Sequence, residues 1–275
     1  MTIRDLRDHG VILNAGAEAP LFHNIRFVDI NDQFIKSNPD GAGGGVDDGI
    51  VQYCSFEYTT QAPDTYTNGV DILGSRNWVI RYNYFKNFRI QTGLVGPAVL
   101  AWRQSANTIT EYNTFVNCER DIAYGLEDAA YNDHSGGIIR NNFIMHSAGL
   151  GGDAGITLFN SPNTKVLHNT VILNGDYPNA IEYRFASTTG VVIRNNLTDA
   201  AIVARDGATG TVANNLTTAQ ISWFVDASIG DLHLKSTATQ AIDQVLTLTD
   251  ANIDYDGQVR PSGGSADYGA DEYVA

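Results

Sequence analysis

Five charged side chains, each in a short segment rich in β-forming residues, are the part of this sequence that points most directly to chemistry. Three are arginines, Arg103, Arg184 and Arg205, and two are acids, Asp71 and Glu182. A guanidinium group binds a carboxylate through two parallel hydrogen bonds and neutralises its charge. If the five side chains share one surface, they can hold an anionic molecule and stabilise charge that develops on it.

Two further side chains in the segment between residues 121 and 134 can exchange a proton. Tyr124 ends the strand-like run Asp121-Ile122-Ala123-Tyr124, and His134 ends the longer loop that follows it. We expect one of them to act as a general base, with Arg103 or Arg184 stabilising negative charge on the reacting molecule.

Other residues near these positions are candidates for binding. Glu127 and Asp128 lie on the same loop, and the predicted binding set combines them with Asp71, Trp102, Glu182 and Arg205. Trp102 offers a flat ring for stacking, although the apolar alternation places it equally well in the core. The alternative for all the charged residues is a face of cross-strand ion pairs, each worth less than about 1 kcal/mol.

A short repeat of the form polar–x–Asn–x–apolar must position these side chains. Its six copies carry an asparagine in the same frame, and an earlier copy places Cys54 in that slot. The six asparagines are Asn83, Asn113, Asn142, Asn169, Asn196 and Asn215. The spacings from Cys54 are 29, 30, 29, 27, 27 and 19 residues, which is the length of one solenoid coil with variable loops.

Two β-strands accompany each asparagine. One immediately precedes it, as in Trp78-Val79-Ile80-Arg81, and another lies further upstream, as in Gly69-Val70-Asp71-Ile72-Leu73. Both alternate with period 2, and helical patterning is nearly absent. An asparagine pointing inward at each corner satisfies the exposed backbone groups and bonds its equivalents one coil above and below. The sequence therefore predicts an all-β, right-handed parallel β-helix of roughly seven to nine coils.

This register assigns the charged residues to two outward rows. Counting ten residues back from an asparagine gives Leu73, Arg103, Phe159 and Arg205, and aligning Ile181 with Ile156 adds Arg184. The row two residues earlier holds Asp71, Ala101, Thr157 and Glu182. Because neighbouring strands lie about 4.8 Å apart, side chains of adjacent coils can converge on one elongated ligand.

The last fifty residues break the repeat. They include Asp254-Tyr255-Asp256-Gly257-Gln258-Val259-Arg260-Pro261 and Asp267-Tyr268-Gly269-Ala270-Asp271-Glu272-Tyr273. Exposed strand edges at the end of a solenoid invite aggregation, so we interpret residues 226–275 as a capping segment on the coils of residues 1–225. Asp254-x-Asp256-Gly resembles the opening of a calcium loop but lacks the downstream glutamate, which favours a structural turn.

Composition excludes several classes of function. The 275-residue chain has a net charge of −14, with 17 basic and 31 acidic residues, so we predict no nucleic-acid partner. It contains no apolar run of membrane-spanning length. Its two cysteines, Cys54 and Cys118, are expected to be buried free thiols. Nucleotide, serine-hydrolase and zinc-protease motifs are absent.

The asparagine-bearing coils resemble those of pectate-lyase-like parallel β-helix proteins. The segments from Asp254 to Pro261 and from Ala266 to Tyr273 resemble the ending of many exported bacterial β-helix proteins. The resemblance implies a polysaccharide substrate and an extracellular or periplasmic location, with a signal peptide removed or outside this chain. We expect a monomer, and calcium is a candidate cofactor.

The leading functional hypothesis is a lyase that cleaves a uronate-containing polysaccharide by β-elimination. One alternative is a glycoside hydrolase, which would require two carboxylates about 6.5–9.5 Å apart for inversion. A second alternative is a non-catalytic β-helix that binds glycans or forms part of a surface structure.

Overall fold

A computed structural model describes residues 1–40 and 44–274 and shows a parallel β-helix of eight coils. Each coil contributes one strand to each of three sheets, here named A, B and C in chain order. Within the described residues every sheet has eight strands, and the strands within each sheet run parallel. The predicted fold class and coil number are confirmed.

Most strands contain three or four residues. Sheet A comprises Thr2–Arg4, Arg26–Val28, Ser55–Glu57, Tyr84–Lys86, Thr114–Val116, Phe143–Met145, Thr170–Ile172 and Leu197–Thr198. Sheet B comprises Val11–Leu13, Ile35–Ser37, Val70–Leu73, Val99–Trp102, Ile122–Tyr124, Ile156–Phe159, Asn179–Arg184 and Ala201–Arg205. Sheet C comprises Leu21–His23, Ile50–Gln52, Val79–Arg81, Ile109–Glu111, Ile138–Arg140, Lys165–Leu167, Val191–Arg194 and Gly210–Ala213.

A few short elements complete the chain. Ser105–Ala106 pairs with His134–Ser135 between sheets B and C, and Phe224–Asp226 forms an antiparallel hairpin with Asp231–Leu234. The helices of the described residues are the single 3₁₀ turns Ile221–Trp223, Ala227–Ile229 and Thr249–Ala251. None has the length and apolar character that a membrane crossing requires.

The six corner asparagines form the expected ladder inside the corner between sheets C and A. Each side-chain amide donates to the amide oxygen of the next asparagine along the axis, at 3.0, 3.0, 2.9, 3.0 and 2.9 Å in chain order. That same oxygen accepts a backbone N–H from the preceding coil, as Asn113 Oδ1 does from Asn83. The ladder satisfies buried backbone groups that the sharp corner would leave unpaired.

Stacked aromatic rings fill part of the interior. Phe27, Phe56, Phe85 and Phe115 lie on successive coils with ring centroids 4.9, 4.8 and 4.7 Å apart. These separations equal the spacing of hydrogen-bonded strands, so identical side chains stack without distorting the sheet. Cys54 and Cys118 are buried free thiols, as predicted.

The C-terminal segment packs on the same domain, but along the outer face of sheet A rather than over the open end. Tyr255 stacks on Phe143 of the sixth coil at 4.0 Å, and the backbone N–H of Ala270 donates to Thr170 Oγ1. The last strand of sheet B, Ala201–Arg205, remains largely uncovered. The predicted division at residue 225 falls inside the strand Phe224–Asp226.

Candidate functional site

The outer face of sheet B carries half of the predicted site residues in two rows. One row contains Lys36, Asp71, Leu100, Ala123, Thr157, Glu182 and Val203, aligned strand by strand. The other contains Leu73, Trp102, Phe159, Arg184 and Arg205. The intervening residues, such as Val70 and Ile72, point into the core. The positions of Asp71, Glu182, Arg184 and Arg205 on this face agree with the period-2 pattern.

The predicted register is wrong by one residue in the fourth coil. Trp102, not Arg103, pairs with Leu73, and Ala101 pairs with Ile72 on the inward side. The corner after Trp102 has an extra residue, because Arg103 and Gln104 both adopt left-handed backbone where the preceding coil has Gly74. A one-residue slip reverses the direction of every side chain in a strand, which is why Trp102 points outward and Ala101 inward.

A cavity of about 560 Å³ lies over the first half of this face. Asp71 lies at its base with 3% of its surface exposed and accepts a hydrogen bond from Trp102 Nε1 at 2.8 Å. Burial raises the pKa of the Asp71 carboxyl to about 6, against the opposing effects of the Trp102 hydrogen bond and the Lys36 and Arg103 charges. The carboxylate therefore titrates close to neutral pH.

Two cations flank Asp71 in this cavity. The Arg103 guanidinium lies over the Trp102 ring, 4.6 Å from its centroid, and Arg103 is exposed. Lys36 is the neighbour of Asp71 on the adjacent strand and donates to the Tyr66 hydroxyl at 2.6 Å. Within residues 1–40 and 44–274, no carboxylate lies within 4.0 Å of either cation's charged nitrogens. Both charges are thus open to an anionic ligand.

A second cavity of about 200 Å³ continues along the same face. Glu182, buried at its base, accepts hydrogen bonds from Arg205 and Asn179, and Arg184 donates to Asp206 at 2.7 Å. The two cavities share Arg120 and Leu126 as lining residues, so they lie side by side, and we name the two together the sheet B groove.

The sheet B groove is more basic than the protein as a whole. Its lining includes five cationic side chains, Lys36, Arg103, Arg120, Arg184 and Arg205, and three carboxylates, Asp71, Asp153 and Glu182. The whole chain has 17 basic and 31 acidic residues. Low-dielectric walls concentrate the field of the cations, so the groove attracts anions that the rest of the surface repels.

The structure corrects the prediction that Tyr124 or His134 acts as a base. Both side chains are fully buried, with ring centroids 4.2 Å apart. Tyr124 bonds Thr110, His134 bonds Ser161 and Thr108, and burial lowers the pKa of His134 to about 3. Tyr124 pairs with Ala101 and Leu158 at an inward position, so neither group can reach a molecule on the surface.

The loop acids lie beside the sheet B groove rather than in it. Glu127 is exposed and lines neither cavity, while Asp128 lines an adjoining hollow next to Arg184. The loop is held by Asp133, whose carboxylate accepts the backbone N–H groups of Arg103, Leu126 and Glu127. Asp133 thereby fixes Leu126 between the two cavities.

Sequence reasoning missed several groove residues, among them Lys36, Tyr66 and Arg120. Lys36 had a detectable signal, because the alternation in Ile35-Lys36-Ser37 places it outward, but the asparagine count began one coil later. Tyr66 and Arg120 lie in loops, where no periodicity indicates direction. Arg120 lies 3.3 Å from Asp153 through its Nε atom.

One group in the C-terminal segment has the composition of a metal site. Ligand atoms of His233, Asp256 and Asp271 lie within 4.8 Å of one another. His233 already bonds Asp231 at 2.5 Å and Asp256 at 2.9 Å, and these neighbours raise its pKa against the opposing effect of burial. The hydrogen bonds of the imidazole to Asp231 and Asp256 account for this geometry without a metal.

The Asp254 turn is occupied by backbone hydrogen bonds. One Asp254 oxygen accepts the N–H groups of Asp256 and Gln258, and the other accepts that of Glu272. A carboxylate used in this way has little remaining capacity for calcium, which requires six to eight oxygen ligands. The residues favour the structural turn.

Comparison with known families agrees with this architecture. The family model described as "Right handed beta helix region" matches residues 68–222, which is more than half of the chain. Searches of the curated proteins and of the solved structures found no match. The chain, with its three parallel sheets and its asparagine ladder, belongs to the right-handed β-helix family.

Proposed function

We propose that this protein binds an acidic polysaccharide along the sheet B groove and cleaves it by β-elimination, as the resemblance to pectate-lyase-like proteins suggests. The observation that carries the proposal is the first cavity. There, a buried carboxylate with a pKa near 6, Asp71, lies beside two cations, Lys36 and Arg103, that have no carboxylate partner among the described residues. An anionic sugar finds both its charge complement and a proton acceptor in one place.

The proposed chemistry assigns a role to each group. Lys36 and Arg103 pair with the uronate carboxylate, which makes the hydrogen on the adjacent carbon more acidic. Ionised Asp71, oriented by Trp102, accepts that proton. The electron pair forms a carbon–carbon double bond as the glycosidic C–O bond on the next carbon breaks, and the leaving oxygen takes a proton from water or from the Tyr66 hydroxyl.

Hydrolysis by paired carboxylates receives less support. Asp71 and Glu182 occupy the same outward row but are separated by four strand spacings, or about 19 Å. An inverting hydrolase needs its two carboxyl groups about 6.5–9.5 Å apart, and a retaining one needs about 5 Å. Glu127, on the exposed loop, lines neither cavity.

A non-catalytic glycan-binding role is the second candidate, and the far half of the groove favours it. There Arg184 pairs with Asp206, Arg205 with Glu182, and Arg120 lies beside Asp153. Paired cations hold a ligand by hydrogen bonds without supplying the free charge that elimination needs. The two candidates differ in whether a new double bond appears in the product.

A panel of uronate polysaccharides tests the proposal, since elimination creates a conjugated double bond that absorbs ultraviolet light. We expect absorbance to rise with at least one substrate, and Asp71→Asn and Arg103→Ala to abolish it. Lys86→Ala, on the outer face of sheet A, is the matched control and should retain full turnover. Binding without any absorbance change, with and without calcium, would refute the lyase and support the non-catalytic candidate.

The remaining functional proposals concern the state of the protein. We propose an extracellular or periplasmic location, where polysaccharide is accessible, and a monomer in solution. Light scattering coupled to gel filtration measures the mass directly. Calcium dependence is tested by comparing turnover and melting temperature in chelator and in added calcium.

A further inference from the structure

Arg184, at the far end of the sheet B groove, has a side chain that is held by three separate contacts. Its guanidinium carbon lies 5.1 Å from the centroid of the Phe159 ring and 5.2 Å from that of Phe185. Its Nε donates to Asp206 Oδ2 at 2.7 Å. Two aromatic contacts and one ion pair leave the side chain few alternative orientations.

The backbone at Phe185 supports a functional reason for this arrangement. Phe185 has a φ of 73°, in the left-handed region, which a bulky side chain rarely adopts. The equivalent corner positions on neighbouring coils are Asn160 and Asp206, residue types that tolerate this conformation. The corner thus carries an unfavourable residue whose ring lies against Arg184, and strain of this kind tends to accompany binding sites.

The two terminal nitrogens of Arg184 remain available. Among the described residues no acceptor bonds either of them, and 27% of the side chain is exposed. These nitrogens form the flat fork that matches a carboxylate through two parallel hydrogen bonds. Because the fork is already oriented, little conformational freedom is lost when a ligand binds.

The position of Arg184 separates it from the proposed reaction centre. Trp102 and Arg184 belong to the same outward row and are three strand spacings apart, or about 14 Å. In the proposed reaction, Arg184 is therefore too far away to act on the bond that is broken beside Asp71. A ligand that reaches both places must contain several sugar units.

We propose that Arg184, with Phe159 and Phe185, forms a preorganised subsite for the carboxylate of a distant uronate unit, so that the groove selects long chains over short ones. This inference rests on the proposed binding of an acidic polysaccharide but not on its cleavage. Arg184→Lys keeps the charge and removes the fork. Phe185→Asn removes the ring and suits the left-handed backbone.

Calorimetric binding of uronate oligosaccharides, from dimer to decamer, to the Asp71→Asn variant tests the inference without turnover. We expect affinity to rise with length once the chain spans both cavities. Adding Arg184→Lys or Phe185→Asn should lower the affinity for long oligosaccharides about tenfold and leave the affinity for the dimer unchanged. Melting temperature should remain constant for Arg184→Lys and remain constant or rise for Phe185→Asn.

The outcomes separate this inference from the proposed reaction. Length-dependent binding that both variants lose supports the subsite even if no polysaccharide is cleaved. Unchanged long-chain affinity in both variants, an equal loss for dimer and decamer, or no binding of any length would overturn it. Lys86→Ala, added to Asp71→Asn, is the control for loss of an unrelated cation.

Discussion

Replacing Asp71 by asparagine should make the folded protein less sensitive to rising pH. The folded-state pKa of Asp71 is raised from 3.8 to about 6, so the folded protein holds this proton more tightly than the unfolded chain. Stability that depends on this group is therefore fully present below about pH 4 and is lost as pH rises toward and through 6. The rise in the pKa of Asp71 from 3.8 to about 6 corresponds to about 3 kcal/mol.

Chemical denaturation of both proteins at intervals from about pH 4 to pH 8 measures this effect. The free energy of unfolding of Asp71→Asn minus that of the wild type should grow by about 3 kcal/mol and then level off above pH 7. Other titrating groups contribute equally to both proteins and cancel in the difference. A difference that stays constant across the range would show that Asp71 is not buried as described.

The same titration makes a prediction about turnover. If ionised Asp71 is the base, the rate at low substrate concentration should rise with pH through about 6 and level off above it. A rate that is independent of pH between about 5 and 8 would exclude Asp71 as the proton acceptor, whatever the stability data show.

Three further predictions concern buried groups outside the proposed reaction centre. Asn142→Ala should lower the free energy of unfolding by about 3 kcal/mol, because it leaves the neighbouring asparagines of the ladder unpaired. Asn215→Ala, in the last and partly exposed coil, should lower it by less. The denaturation midpoints of the two variants measure the difference. The pKa of His134 is lowered from 6.5 to about 3, so the protein loses stability as pH falls below 6.5. His134→Gln should reduce that loss of stability and leave turnover unchanged. A loss of turnover in this variant would show that His134 takes part in the reaction. Arg260→Met leaves the Glu272 carboxylate buried without its guanidinium partner and should lower the free energy of unfolding by about 4 kcal/mol. We expect faster proteolysis of the C-terminal segment. Unchanged proteolysis would contradict the role of Arg260 in anchoring this segment.

The ladder shows which part of the site was predictable. Asparagine recurs at the spacing of one coil, and its chemistry requires an inward position at a sharp corner, so Asn83 to Asn215 indicated both the fold and the approximate rows. Asp71, Glu182 and Arg184 were placed on the outer face of sheet B for the same reason. The direction of a side chain within a strand depends only on the alternation of inward and outward residues, which is a local property of the sequence.

Other features depended on contacts between distant parts of the chain. The extra corner residue at Arg103 and Gln104 moved the fourth coil by one position, and nothing in the local pattern indicates how many residues a corner holds. Tyr124 has a polar group that suggests chemistry, yet its inward position places it beside His134 in the core. The raised pKa of Asp71 likewise arises from burial by neighbouring coils and loops.

By itself, the sequence determined that this chain forms a parallel β-helix with one charged face, because repeated side-chain chemistry at a constant spacing permits few other structures. Only the tertiary structure decided which charges meet. Loop residues such as Arg120 and Leu126 lie between the two cavities of the groove, and the C-terminal segment covers the later coils of sheet A while leaving sheet B open. These outcomes depend on how loops of different length pack, which is a property of the assembled coils and not of any single repeat.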